Sequence, residues 1–182
     1  LEGFQGTLVT VGYGAYNGAA ALLKVTHAGC MAHCRRYFDE ARKAGTDSSH
    51  AKMALDFIGR LSLIERPLWE RDHPLTPAER LTIRQQRSAP IMAEFQAWLE
   101  ALAPMVLPES RLGKAVQYTL GQWPKLSVFL THGEVPLTNN RCENAIRPFV
   151  VGRKGWMFSD TVPGAVASAN LYSLVETAKA NG

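Results

Sequence analysis

The sequence predicts a mostly helical chain built as a small α/β unit interrupted by a long all-helical stretch. Three observations predict it. Residues 6–11 are rich in β-branched side chains and stop at Gly12, as a short strand does. Apolar residues recur at helical spacing from Cys30 onward and through the middle of the chain. From Pro136 the pattern changes to turn, helix, basic loop and helix. The chain then divides into 1–44, 45–132 and 133–182, with the first and last parts forming one α/β core and the middle part inserted into it.

Each element has its own signal. After the first strand, residues 13–23 read as a helix weakened by Gly14 and Gly18. Residues 24–28 read as a second short strand. Residues 30–43 place Met31, Cys34, Phe38 and Ala41 on one helical stripe, and residues 51–70 do the same with Ala54, Phe57, Ile58, Leu61 and Ile64. Pro67 is expected to kink or end that helix. Thr76-Pro77-Ala78-Glu79 is a start signal, with a Thr cap, Pro at the first helical position and Glu closing a capping box. The helix it opens runs toward Gln86, is disturbed by Pro90 and resumes through Phe95, Trp98, Leu99 and Leu102. Residues 109–122 and 128–130 are further helices. The mixed, balanced charges of residues 60–100 suggest exposed faces linked by i,i+4 pairs, and packing is the expected role of this stretch. Residues 136–140 form a turn, residues 141–150 a helix, residues 152–158 a glycine-punctuated basic and aromatic loop, and residues 165–180 a closing helix.

Composition narrows the function. With 46% hydrophobic and 20% charged residues the chain is ordinary for a globular protein. No apolar run approaches the ~20 residues a membrane span needs. Beginning at Leu1 with no charged and apolar leader behind it, the chain reads as an excerpt of a longer protein. Cys30, Cys34 and Cys142 are too few for a disulfide framework, so a reducing, cytoplasmic setting is expected. The net charge of +4 is concentrated: between residues 139 and 158, Arg141, Arg147, Arg153 and Lys154 face only Glu143. Such a cluster suits a phosphate backbone, whose binding is driven by counterion release, and equally suits a solvated surface.

The stretch Asn139-Asn140-Arg141-Cys142-Glu143 is the most informative. Asn140 as N-cap with Glu143 at the third helical position is a capping pair, and Glu143 with Arg147 an ordinary helical ion pair. A carboxylate at a helix start beside arginines is also suited to hold a divalent cation next to phosphates. The two readings are compatible. His27, Cys30, His33 and Cys34 superficially resemble a zinc site, with His27, Cys30 and Cys34 spaced to share a helical face. No second ligand pair follows, so small buried thiols are the expectation.

The run Thr138-Asn139-Asn140-Arg141-Cys142-Glu143-Asn144-Ala145-Ile146-Arg147-Pro148-Phe149, with Gly152-Arg153-Lys154 and Trp156 behind it, resembles the C-terminal signature of the insertion sequence 66 family of bacterial transposases. Gly29-Cys30, His33, Arg35-Arg36 and Phe38 resemble a second block of that family, and Val11-Gly12-Tyr13 with Ala15-Tyr16 a third. The three blocks occur in the family's order and span nearly the whole chain.

The resemblance implies an RNase H-like catalytic core of the DDE type, here incomplete because its N-terminal strands lie upstream, with a helical insertion before the last carboxylate. It implies Mg2+ or Mn2+ held by two Asp and one Glu, with Glu143 matching the last of these as catalytic residue and metal ligand. It implies DNA as partner, both element ends and target, with a homodimer and accessory proteins of the same element as further partners, in the bacterial cytoplasm at the nucleoid. Arg35, Arg36, Asn139, Asn140, Arg141, Arg147, Arg153 and Lys154 are the expected DNA contacts, and Trp156 is either a stacking surface or core.

The departure is at residue 11. Where the family pattern has its second Asp, this sequence has Val, which cannot coordinate a cation. The first Asp is expected on a strand upstream of Leu1. The sequence therefore predicts a catalytically inactive chain, and leaves a non-catalytic nucleic-acid-binding helical protein as the alternative.

Overall fold

The computed structural model describes residues 5–12, 15–45, 48–69, 75–156 and 161–181, without the side chains of residues 15, 16, 19, 23 and 153–156. Two compact units divide the chain, residues 1–139 and residues 140–182.

The first unit begins with a β–α–β turn of chain. Strand β1 (Thr7–Thr10) is followed by helix α1 (Ala15–Leu23) and strand β2 (Thr26–Gly29). The strands pair in parallel, Thr7 opposite Thr26 and Thr10 opposite Gly29. A parallel pair needs a crossover, and α1 supplies it. Helix α2 (Met31–Lys43) starts directly after β2 with Cys30 at its N-cap position, and its predicted stripe of Met31, Cys34, Phe38 and Ala41 is fully buried.

The helical stretch follows. Helix α3 (Ser48–Glu65) buries all five residues of its predicted stripe, and Pro67 falls in a 3-10 turn, Arg66–Trp69, that ends it. Helix α4 (Pro77–Ile83) opens with the predicted capping box: the Thr76 side chain accepts from the Glu79 backbone N–H, and the Glu79 carboxylate accepts from the Thr76 N–H at 2.7 Å. A π-helical turn, Arg84–Ser88, joins it to helix α5 (Ala89–Leu102). This is the disturbance expected from Pro90: with no N–H to donate and a ring that crowds the preceding turn, proline favours a locally wider winding. Helix α6 (Arg111–Leu126) is capped by Ser110, whose hydroxyl accepts from the Gly113 N–H at 2.9 Å, and a 3-10 turn, Val128–Leu130, follows.

One core serves both the β–α–β segment and the helices. Ala28, Met31, Cys34 and Phe38 pack in the same cluster as Phe57, Leu61, Phe95, Leu99, Val116 and Trp123, and Val135 and Leu137 close it. Phe95 is its centre, 5.0 Å from the Phe57 ring and 5.6 Å from Trp123. Such pairs add about 0.5–1.5 kcal/mol beyond burial. Helix α6 lies close over β2 because residue 29 is glycine: a Cβ there would stand 3.2 Å from a Leu126 methyl and 3.4 Å from the Leu126 backbone nitrogen.

Among the described residues, the ion pairs of residues 60–100 differ from the expected i,i+4 pairs. Arg84, with no exposure, donates to both oxygens of Glu65 at 2.7 Å, nineteen residues away. Its remaining terminal nitrogen donates to the carbonyls of Phe129 and His132, each at 3.0 Å. The π turn leaves Arg84 facing inward, and a guanidinium carries enough donors to satisfy a carboxylate and two carbonyls together. The exposed Arg60–Glu94 pair, 3.4 Å, also bridges different helices. Among the described residues the ion pairs of this stretch are long-range.

The second unit comprises helix α7 (Asn140–Trp156) and helix α8 (Val162–Asn181), touching through the rings of Phe149 and Tyr172, 5.1 Å apart. The loop expected from Gly152 is helical as far as Trp156. Glycine costs a helix only about 1 kcal/mol relative to alanine, and extending a helix that already runs from Asn140 needs no new nucleus. Residues 157 and 158 of that expected loop lie outside the described residues. Among the described residues α8 buries no side chain. No described helix is long and apolar enough to cross a membrane.

Candidate nucleic-acid interface

The carboxyl end of β1 gathers side chains from four elements. Thr10, the last strand residue, is buried, and its hydroxyl shares a 2.6 Å hydrogen bond with His27 Nε2 of β2. The backbone carbonyl of Val11 accepts a 3.2 Å hydrogen bond from the phenol of Tyr118 on α6. Gly12 follows with φ +73°, and a Cβ there would stand 2.6 Å from that phenol oxygen. Only glycine fits such a position, since φ is left-handed and the space is taken. Lys125, two turns further along α6, donates to Asn17 Oδ1 of α1 at 2.6 Å and to Gln122 Oε1 at 3.4 Å. Tyr37 of α2 packs its ring 4.4 Å from that of Tyr118.

The electrostatics follow from this crowding. Burial, and then the Lys125 charge, lower the His27 pKa from its ordinary value. Burial pushes the Tyr118 phenol up to about 12. Cys34, beneath this surface, is pushed up to about 12 by burial and stays a neutral thiol.

The sequence-predicted residues fall into two groups. Arg35 and Arg36 are exposed on α2, in the first unit, where Asn139 also sits, half-buried, with its backbone N–H donating to Cys30 Sγ at 3.4 Å. Met31 N–H donates to the Leu137 carbonyl at 3.0 Å, so the last residues of the first unit are pinned to the start of α2. Asn139 Oδ1 is buried with no hydrogen-bond partner among the described residues. In the second unit, Asn140, Arg141 and Arg147 are exposed on α7, and Glu143 is half-buried in its first turn. Because α7 starts at Asn140, the residue preceding its first turn is Asn139 and not the expected Asn140. Arg153, Lys154 and Trp156 belong to α7, but their side chains lie outside the described residues, as does Tyr13.

His27 is on β2 and Cys30 precedes α2, so the helical face imagined for His27, Cys30 and Cys34 does not exist. Cys30 and Cys34 are free and buried. Among the described residues no three His, Cys, Asp or Glu side chains converge as metal ligands. Sequence reasoning missed Tyr118, Gln122 and Lys125. Their spacing marks one face of α6, but nothing local says that this face borders β1.

The comparisons with known proteins agree with the motifs. The sequence profile described as Transposase IS66 family matches residues 1–167. Among curated proteins the chain is similar to three from Sinorhizobium fredii (strain NBRC 101917 / NGR234). It is 30% identical to the uncharacterized protein y4hP over 196 residues, covering all of this chain and 35% of that protein. It is 32% identical to the uncharacterized protein y4jD over 188 residues, covering all of this chain and 36% of the relative, and 32% identical to the uncharacterized protein y4qI over 190 residues, covering 34% of the relative. The chain thus spans about a third of the length of the curated relatives it matches. No solved structure matches it. The chain belongs to the IS66 transposase family.

Proposed function

We propose that the chain is the C-terminal part of the catalytic core of an insertion-sequence transposase, acting on DNA by phosphoryl transfer in its intact relatives, and that this copy binds DNA without cutting it. The observation that carries the reading is the family match over residues 1–167; Val11, directly after β1, stands where the motif resemblance implies an Asp. The parallel pair β1–β2 with its crossover helix is what an RNase H-like sheet would contribute from this part of the chain. On this reading residues 45–132 are the insertion, residues 133–182 return to the core, and Glu143 is the last carboxylate.

The residues at the end of β1 do not fit a magnesium or manganese ion. Such cations demand hard oxygen ligands, carboxylates above all. Val11 offers an isopropyl group, its carbonyl is engaged by Tyr118, and the Thr10 hydroxyl is engaged by His27. What the chain offers DNA is positive charge: Arg35 and Arg36 on α2, Arg141 and Arg147 on α7, and Arg153 and Lys154 further along α7, with Asn139 and Asn140 as neutral donors. Phosphate contacts of this kind position DNA without reading its sequence.

Titrating the protein against labelled element-end DNA at several salt concentrations tests the reading. The expected result is an affinity that falls steeply and linearly with salt on logarithmic axes. A helical scaffold protein with no nucleic-acid role would show no such binding.

A further inference from the structure

Helix α6 turns a polar stripe toward the end of β1. Tyr118, Gln122 and Lys125 stand at i, i+4 and i+7, one face of a helix. The Lys125 ammonium is steadied by two neutral amide oxygens, those of Asn17 and Gln122, which leave one of its three donors unused. On the neighbouring helix Tyr37 remains 38% exposed while packed against Tyr118, and Arg36 beside it is exposed. The described ion pairs include neither Arg36 nor Lys125. Among the described residues neither cation has an acidic partner, and the two flank a tyrosine pair at the end of the first strand.

We propose that this rim, Arg36 and Tyr37 of α2 with Gln122 and Lys125 of α6, holds a single DNA strand passing the end of β1, Lys125 and Arg36 binding phosphates and Tyr37 stacking on a base. The proposal rests on the reading that the chain binds DNA, and adds that the inserted helices form one wall of the DNA site. Strand-tracking surfaces combine these two ingredients: charge that follows the backbone and aromatic faces that accept any base. Tyr118 supports Tyr37 from below and fastens Val11, so the stacking ring is fixed relative to the strand end.

The test is anisotropy of a fluorescein-labelled oligothymidylate titrated with the purified protein at graded salt, beside the same measurement on a duplex. Lys125→Gln is expected to flatten the salt slope by about 0.7, one phosphate contact on a single strand, whereas Lys125→Arg preserves it. Tyr37→Ala is expected to weaken single-strand binding roughly tenfold and duplex binding less, with Tyr37→Phe retaining affinity. Lys52→Gln, an exposed lysine on α3, is the control and leaves both unchanged. If the unaltered protein binds no DNA, the functional reading and this proposal fall together. If it binds with a normal salt slope that Lys125→Gln and Tyr37→Ala leave intact, or that Lys52→Gln changes as much, only the proposal falls. Thermal melts of each variant separate lost binding from lost folding, and Lys125→Arg keeps the charge test readable in either case.

Discussion

The phenol of Tyr118 donates a hydrogen bond to the carbonyl of Val11, joining residues 107 positions apart across the first unit. It fixes the point where β1 ends and the chain turns through Gly12. The helical stretch is therefore the element that shapes the end of the strand pair, in addition to filling the core beneath it. Any chemistry or binding at residue 11 is coupled to α6.

This coupling is measurable. Tyr118→Phe is expected to cost about 1 kcal/mol, the ordinary net value of a hydrogen bond, read as a lower urea midpoint. Gly12→Ala is expected to cost more, because it combines a left-handed φ with a Cβ 2.6 Å from the phenol oxygen. The double variant should lose less than the sum, since removing the oxygen removes the closest clash. Strict additivity would contradict the placement of the two residues.

The Arg84–Glu65 pair gives a second stability prediction. Replacing Arg84 by Met leaves Glu65 buried without its cation and strips the carbonyls of Phe129 and His132 of a donor. Breaking one side of a buried pair costs about 3–5 kcal/mol. Combining Arg84→Met with Glu65→Leu should recover part of that loss, because the uncompensated charge is gone. Equilibrium urea unfolding of the two single variants and the double variant checks it.

The dependence on pH has two limbs. His27 has a lowered pKa in the folded protein, so below its ordinary value of 6.5 the unfolded chain binds the proton more readily. Its contribution is complete above that pH and is lost as the medium becomes acidic, and His27→Gln should flatten this limb. Cys34 is pushed from 9.0 up to about 12, so the folded state retains a proton that the unfolded chain releases. That contribution is complete below pH 9.0 and is lost as pH rises toward about 12, with a slope of up to about 1.4 kcal/mol per pH unit. Cys34→Ala should remove that share of the alkaline limb, at the cost of a small cavity. Thermal melts across the pH range measure both limbs.

Much of this structure could be read in the residues themselves. The stripes of α2 and α3, the capping box at Thr76, the two short strands and the disturbance at Pro90 are local patterns, and each is found where its physical cause operates. Arg84 could not be read that way. A charged residue in a mixed-charge stretch looks solvated, and only the widened turn and the distant Glu65 make it a core residue. The same holds for Lys125 and Tyr118, whose roles depend on α6 crossing the end of a strand more than 100 positions earlier. Gly152 and Gly155 misled in the other direction, because a weak local preference yields to a helix already under way.

The account turns on residue 11, and the direct measurement is strand transfer of element-end DNA in magnesium by the full-length polypeptide, with Val11 and with Val11→Asp. The account predicts no transfer and no nicking with Val11, and activity gained with the carboxylate restored. Magnesium-dependent nicking by the Val11 protein, at a rate the substitution leaves unchanged, would contradict it.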